Sequence, residues 1–292
     1  MKNIRGANAI LTGASRGLGT YIAATLAEKG VNLVLAARTA DKLEATRAAA
    51  EAKGVRAIAV PCDVTSRDDL QRLVATAERE LGSVDILINN AGIEIVAGFP
   101  EHSFGQIDSV LRTNLSGPIW LTKMVLPSML ARRRGAIVNV ASMAGKSGVA
   151  YSSIYSTSKF GLIGFTKSLR AELDGTGVTA GVVCPTFVSE SGMWANYGGK
   201  APMLAREVSP QKVAAAVLRA IAGQPEILVN AGPIRPLLAA GELFPSFLGA
   251  FMKRAGIISL MRDQAKQRAL GEDRAGATAA TSEREKAEAS RV

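Results

Sequence analysis

Apolar positions along this chain follow two alternating patterns. Continuous apolar runs of strand length occur at ANAILTG (7–13), VNLVLAA (31–37), RAIAVPC (56–62), VDILINN (84–90), GAIVNVAS (135–142) and VTAGVVCP (178–185). Between the early runs lie LGTYIAATLAEKG (18–30), DKLEATRAAAEAKG (41–54) and RDDLQRLVATAERELG (67–82). Their apolar residues recur three and four apart, the spacing of one helix face. A strand that is apolar along its whole length is covered on both faces, which is the condition of a parallel sheet.

The alternation holds to Cys184. It continues through SPQKVAAAVLRAI (209–221), a helix with Ser209 as N-cap and Pro210 in its first turn, to a last strand, PEILVN (225–230). Right-handed crossovers between such strands wind the sheet twice. The expected fold class is therefore α/β: a single Rossmann-type doubly wound parallel sheet with helices on both faces. From Ala231 to Met261 the sequence changes, with Pro233, Pro236 and Pro245 interrupting a stretch rich in Leu, Phe and Ile. This stretch reads as a C-terminal helical extension. The final residues, 271–292, hold no aromatic residue and only Val292 among the large aliphatics, and are expected to be disordered.

Composition narrows the function classes. Hydrophobic content of 48% and charged content of 21% are ordinary for a globular protein. No uninterrupted apolar run has bilayer length, so no transmembrane helix is expected. The short apolar run after Lys2 and Arg5 is broken by TGASRG, which argues against a signal peptide and for a cytoplasmic protein. Cys62 and Cys184 lack C-x-x-C spacing and read as buried reduced thiols, and no His/Cys/carboxylate cluster suggests a metal. The net charge of +10 raises the question of a nucleic-acid, membrane or phosphorylated partner. The densest basic run, Arg132-Arg133-Arg134, ends an apolar-periodic stretch before Gly135. It reads as a solvated helix end with glycine as its cap, so no nucleic-acid partner is expected.

Candidate chemistry begins in ILTGASRGLGT, where Gly13, Gly17 and Gly19 join the first strand to the first helix. Glycines there permit a sharp turn and close approach of a pyrophosphate to the helix N-terminus. NAD-binding sheets often place an acid after the second strand for the ribose hydroxyls. Here Ala37 and Arg38 stand at that point, and Arg16 lies in the glycine loop. Two guanidiniums suit a 2′-phosphate, so NADP(H) is expected to be preferred over NAD(H).

The stretch YSSIYSTSK holds two of the chain's four tyrosines, Tyr151 and Tyr155, ahead of Lys159. On a helix, Tyr155 and Lys159 are neighbours at i and i+4, whereas Tyr151 lies a turn too far away. A nearby ammonium favours phenolate and makes Tyr155 usable as a general acid or base. Tyr151 is left either to face the pocket or to cap the approach to the helix. The only histidine, His102, lies in the polar segment PEHSF, away from any nucleophile-elbow pattern, which sets aside a serine hydrolase.

These motifs, in order, resemble those of the short-chain dehydrogenase/reductase family over about Ile4 to Ile227: Thr12-Gly13-x-x-x-Gly17-x-Gly19, Asp63, Asn89-Asn90-Ala91-Gly92, Asn114, Ser142 and Tyr155-x-x-x-Lys159. The resemblance implies an oxidoreductase that interconverts a ketone and a secondary alcohol on a small molecule. Tyr155 would exchange a proton with the substrate oxygen and Ser142 would hydrogen-bond it. Lys159 would hold the nicotinamide ribose and tune Tyr155, and Asn114 would support a water or backbone arrangement for a proton relay. The implied cofactor contacts are Gly13, Ser15, Arg16, Gly17, Leu18, Gly19, Arg38, Asp63, Val64, Asn90, Ala91, Gly92, Tyr155, Lys159, Pro185 and Val188, with Asp63 on the adenine amine and Val188 near the nicotinamide amide. The chain departs from the family where Thr186 follows Pro185 and Glu190 stands near a usual threonine position. The rival readings are a nucleotide sensor or a membrane-peripheral protein of the same fold with little turnover; a sensor typically loses Ser142, Tyr155 or Lys159, whereas a membrane-peripheral role through the C-terminal segment is compatible with catalysis.

The resulting organisation is a catalytic domain over 1–230, an apolar and basic extension over 231–270, and the tail over 271–292. Phe187, Met193, Trp194 and Tyr197 in the substrate lid, with Met143, Glu94, Ile95 and Val96, favour a lipophilic substrate. The extension combines Leu237, Leu238, Phe244 and Phe251 with Lys253, Arg254 and Arg262. It packs over the lid or a neighbouring subunit, or lies in a membrane interface; packing is the first expectation. The apolar excess on about Ser103–Arg132 and Ser152–Glu172 adds the expectation of a homodimer or homotetramer, the family pairing these helices across a two-fold axis.

Overall fold

The computed structural model describes residues 1, 3–189, 207–230 and 234–269. Among these, β1 (Asn8–Thr12), β2 (Asn32–Ala37), β3 (Ala57–Pro61), β4 (Ile86–Asn89), β5 (Gly135–Val140), β6 (Val178–Pro185) and β7 (Glu226–Val229) form one sheet in the order β3-β2-β1-β4-β5-β6-β7. Every pairing is parallel. Helices α1 (Leu18–Glu28), α2 (Ala40–Glu51) and α3 (Arg67–Leu81) follow the first three strands. The doubly wound sheet expected from the apolar runs is the observed fold.

Alternation along each strand divides the core. Leu33 and Leu35 of β2 pack with Leu26 of α1, Leu43 of α2 and Val213 of α7 (Pro210–Ile221). Val34 and Ala36 point the other way, among Leu73 of α3, Val125 of α5 (Gly117–Ala131) and Leu169 of α6 (Ser153–Glu172). Both faces are covered, which is why the strands read as unbroken apolar runs. After β3 the chain crosses back to β4 beside β1. The direction of winding reverses there, and a crevice opens beyond the C-terminal ends of β1 and β4.

Three local expectations are corrected. Arg133, not Gly135, takes the left-handed backbone after α5, with φ 51. Gly135 instead opens β5, where a Cβ would lie 2.6 Å from Met129 Sδ. The basic run is not merely solvated: Arg132 Nη1 meets Asp85 Oδ1 at 2.9 Å, Arg134 Nε reaches the same oxygen at 3.4 Å, and Arg133 donates to Gly175 O at 2.8 Å. Ser209 does occupy the N-cap position of α7, but its side chain makes no capping hydrogen bond.

Beyond β7 the chain forms α8 (Ile234–Leu243), α9 (Pro245–Arg254) and a further helical run over 257–269. No helix among the described residues is long and apolar enough to cross a membrane. Glu190, Met193, Trp194 and Tyr197, and the tail over 271–292, lie outside the described residues.

Candidate active site

A cavity of about 830 Å³ opens at the crevice. One end is built by the glycine loop. Gly13 and Gly17 hold φ values of 68 and 60, a region that side chains disfavour. A Cβ on Gly13 would lie 2.8 Å from Ala91 Cα, so the loop rests directly on the exit of β4. Thr12 and Asn90 stitch this junction: Thr12 Oγ1 accepts the Asn90 and Ala91 N–H groups at 3.0 and 3.1 Å, while Asn90 Nδ2 donates to Thr12 O at 3.0 Å and to Gly13 O at 3.2 Å. Gly19 does not itself line the cavity. A Cβ there would fall 2.0 Å from Gly13 O, so its service is to let α1 close onto the loop.

Gly17 caps α1 with no side-chain hydrogen bond, and the first turn holds no acid. The positive end of the helix therefore faces the cavity, which Ser15, Arg16, Gly17 and Leu18 line. Arg38 lines it too, and so does Lys42 in the first turn of α2. Lys42 escaped the sequence reading. Its signal was a cation in a helix's first turn, where the macrodipole disfavours one. Asp63 and Val64 line the same end. Asp63 Oδ1 accepts from the Thr65 backbone and hydroxyl at 2.9 and 2.8 Å, which fixes this turn. A dinucleotide with an additional phosphate fits this donor set: an open helix terminus, three cations and one oriented carboxylate.

The other end carries Ser142, Tyr155 and Lys159. Ser142 stands just beyond β5, and its Oγ accepts the Ala144 N–H at 3.1 Å. That bond consumes a lone pair and leaves the hydroxyl hydrogen to donate elsewhere. Tyr155 and Lys159 are both buried on α6, with Lys159 Nζ 5.6 Å from the Tyr155 ring centroid. Lys159 Nζ donates to Val140 O at 3.0 Å. Close approach of the Ser142 turn to α6 depends on Gly145, where a Cβ would meet the Lys159 backbone at 2.7 Å. Beneath, Asn89 Nδ2 donates to Asn139 Oδ1 at 2.8 Å and Asn139 Nδ2 to Thr166 Oγ1 at 2.8 Å, which locks β4, β5 and α6 together.

Asn114 holds backbone beside the cavity and does not line it. It lies in a π-helical turn, Arg112–Ser116, between α4 (Phe104–Leu111) and α5. It is fully buried and does not line the cavity, although its neighbour Thr113 does. Its side chain pairs with both backbone groups of Ile93 at 2.8 Å and donates to Ser158 Oγ at 3.1 Å. It therefore fixes the strand exit after Gly92 against α6. Gly92 keeps that exit open: a Cβ would sit 3.3 Å from Asn114 Oδ1 and 3.5 Å from Lys159 Nζ.

Burial pushes the Lys159 ammonium down to about 8, and the Glu94 carboxylate is among the charges opposing that fall. Burial in turn raises Glu94, while a hydrogen bond from Ser152 Oγ at 2.7 Å and the charge of Lys159 pull it back. Glu94 lines the cavity beside the catalytic end. Cys62 and Cys184 are buried free thiols, each pushed up to about 12 chiefly by burial, which suits the inert role read from sequence. His102 does not line the cavity.

Pro185 at the end of β6 and Thr186, Phe187 and Val188 beyond it form one wall. Thr186 N–H donates to Val229 O at 3.0 Å and Val188 bridges to Val208, so Thr186 is accommodated by pairing with β7. The roof comes from the C-terminal helices, through Leu237, Leu238, Phe251, Met252, Met261 and Gln264. Tyr151 does not enter the cavity. It adopts φ 63, packs beside Val96 and Met261, and its hydroxyl accepts from Arg262 Nε at 3.0 Å.

Comparison with known proteins agrees with this arrangement. The ketoacyl reductase HetN of Nostoc sp. (strain PCC 7120) is 43% identical over 274 residues, spanning 92% of this chain and 96% of that protein. A match of that breadth runs through the C-terminal helices. Actinorhodin polyketide ketoreductase, solved with NADPH, is 34% identical, covers 76% of this chain and 95% of its own, and superposes with a TM-score of 0.71. A metagenomic short-chain oxidoreductase in complex with NADP is 31% identical, covers 78% and 97%, and gives 0.68. The short chain dehydrogenase family model matches residues 7–201, the stretch that supplies the glycine loop, Ser142, Tyr155 and Lys159, and the chain belongs to that family.

Proposed function

We propose that this protein is an NADP(H)-dependent ketoreductase acting on a ketoacyl chain, in the direction of the alcohol. The observation that carries the reading is the convergence of Ser142, Tyr155 and Lys159 on one cavity with the glycine loop and its cations. The ketoacyl assignment draws on the names of the similar proteins and on the apolar roof. NADP(H), when bound, supplies the hydride. Arg16, Arg38 and Lys42 would meet its phosphates, the helix terminus its pyrophosphate and Asp63 its adenine.

The protein's own work is orientation and proton handling. Ser142 donates its hydroxyl hydrogen to the ketone oxygen and holds it near Tyr155. Tyr155 gives its phenolic proton to that oxygen as negative charge develops there. The Lys159 ammonium stabilises the resulting phenolate, and its bond to Val140 O keeps it beside the ring. Asn114 acts indirectly, by holding the Ile93 backbone and Ser158 in place.

The test follows nicotinamide absorbance with NADPH and NADH against a panel of β-ketoacyl thioesters and plain ketones. NADPH-dependent reduction of the thioesters, lost in Tyr155→Phe with NADPH binding retained, is the expected result. Tight NADPH binding without turnover of any ketone would instead favour a nucleotide sensor.

A further inference from the structure

The helical run over 257–269 presents one polar side chain to the cavity roof with nothing to bind. Gln264 is 6% exposed and lines the cavity. Neither Nε2 nor Oε1 has a hydrogen-bond partner among the described residues. A buried carboxamide with both ends unpaired is costly, and a glutamine at an exposed helix position would avoid the cost by turning into solvent.

Gln264 has no such freedom, because the run is held on both sides of it. Met261 and Ala265 are buried in a cluster with Val96, which Val149, Tyr151 and Ile257 border. Arg262 donates to the Tyr151 hydroxyl at 3.0 Å, and Arg268 Nη1 reaches Val96 O at 3.5 Å. These contacts fix the rotation of the helix and keep Gln264 facing inward. Glu94, which lines the same cavity, already accepts from Ser152. Around Gln264 the roof is apolar, with Leu237, Phe251 and Met252 lining the same space. The carboxamide is therefore an isolated polar mark on a lipophilic surface, outside hydrogen-bond reach of Ser142 and Tyr155.

We propose that Gln264 is a specificity-determining residue whose carboxamide binds a neutral group of the substrate, away from the reacting ketone, that both donates and accepts a hydrogen bond. A hydroxyl can meet it through one oxygen, donating to Oε1 and accepting from Nε2; a trans secondary amide, whose N–H and C=O point apart, pairs through one of them, N–H to Oε1 or C=O to Nε2. The inference rests on the ketone-reducing reading of the cavity. An acyl thioester whose arm carries an amide joins the two chemistries in one molecule.

The experiment compares wild type with Gln264→Leu on four ketones: a β-ketoacyl N-acetylcysteamine thioester, the same chain as a butyl thioester without the amide, a plain alkyl methyl ketone and its hydroxyalkyl counterpart. Wild type is expected to favour the amide-bearing thioester over the butyl thioester through KM. Gln264→Leu should raise that KM about three- to tenfold, with kcat and the plain-ketone KM unchanged. Melting temperature is measured in parallel and is expected to hold or rise, since leucine removes an unpaired buried amide. Equal effects on all four substrates, or none, overturn the proposal. If wild type reduces both thioesters and Gln264→Leu treats them as wild type does, the ketoacyl reading stands and the Gln264 reading falls. If no thioester is reduced but selectivity for the hydroxyl ketone depends on Gln264, the ketoacyl reading falls and the polar subsite stands, with a hydroxyl as its ligand.

Discussion

The Nε–H of Arg262 donates to the hydroxyl of Tyr151 at 3.0 Å, and through that bond the C-terminal roof is tied to the segment that leads into α6. Two tyrosines four residues apart thereby divide their labour. Tyr155 faces the reacting end of the cavity, while Tyr151 anchors its cover. Tyr155→Phe is expected to cost about a hundredfold or more in kcat. Tyr151→Phe and Arg262→Ala should each raise KM by roughly two- to tenfold and leave kcat nearly intact, since each removes one hydrogen bond. Steady-state kinetics on the three variants decides it; a kcat loss in Tyr151→Phe matching that of Tyr155→Phe would refute the division.

Lys159 gives a pH signature of known sign. In the folded protein its ammonium is lost near pH 8, against an ordinary value of 10.5. Reduction by the enzyme should therefore decline on the alkaline side near pH 8, in kcat/KM. Between about 8 and 10.5 the unfolded chain holds a proton that the folded chain lacks, so folding stability should rise with pH across that window. Below pH 8 the burial cost is fully present, and Lys159→Met should be inactive yet melt no lower than wild type. Glu94→Gln removes a charge that supports the ammonium and should move the alkaline limb to lower pH. An unmoved limb would show that Glu94 does not act on Lys159.

The cofactor end predicts a graded response. Arg38→Asp should raise KM for NADPH about tenfold or more and narrow or reverse the preference over NADH, by removing a phosphate partner and adding a repelling carboxylate. Lys42→Ala should weaken NADPH by less and leave NADH unchanged. Equal losses for both cofactors in both variants would mean that neither cation reads the extra phosphate.

Assembly is expected through the outer faces of α4, α5 and α6, where Phe104 is 89% and Phe160 44% exposed. Light scattering of wild type at micromolar concentration should report a dimer or tetramer, and Phe160→Glu should shift it toward monomer. A monomeric wild type counts against this.

Leu243 and Phe244 leave an exposed apolar pair at the turn between α8 and α9. Peripheral membrane contact there predicts weak sedimentation with anionic vesicles that the Leu243→Ser, Phe244→Ser double variant abolishes. Equal, negligible sedimentation of the two proteins removes that reading.

The sequence by itself determined the sheet, because strands covered on both faces must be apolar throughout and helices between them must be apolar on one side. It determined the pairing of Tyr155 with Lys159, because i and i+4 share a helix face whatever the helix packs against. It also marked the glycine loop, since positive φ and close contact leave few residue types to choose from. The tertiary structure alone decided what non-local contacts govern. Asn114 reads by resemblance as a support for a water or for backbone near the proton relay, and only the packing shows the π-helical turn that buries it against Ile93. Gly19 reads as a ligand contact, and the structure adds that its missing Cβ lets α1 close onto the loop. Gln264 carries no sequence signal, standing between Asp263 and Ala265 in a charged segment, and only the docking of 257–269 on Val96 and Tyr151 turns it inward. Periodicity reports which side of an element is buried; it does not report against what, because the partner is set by contacts far apart in the chain.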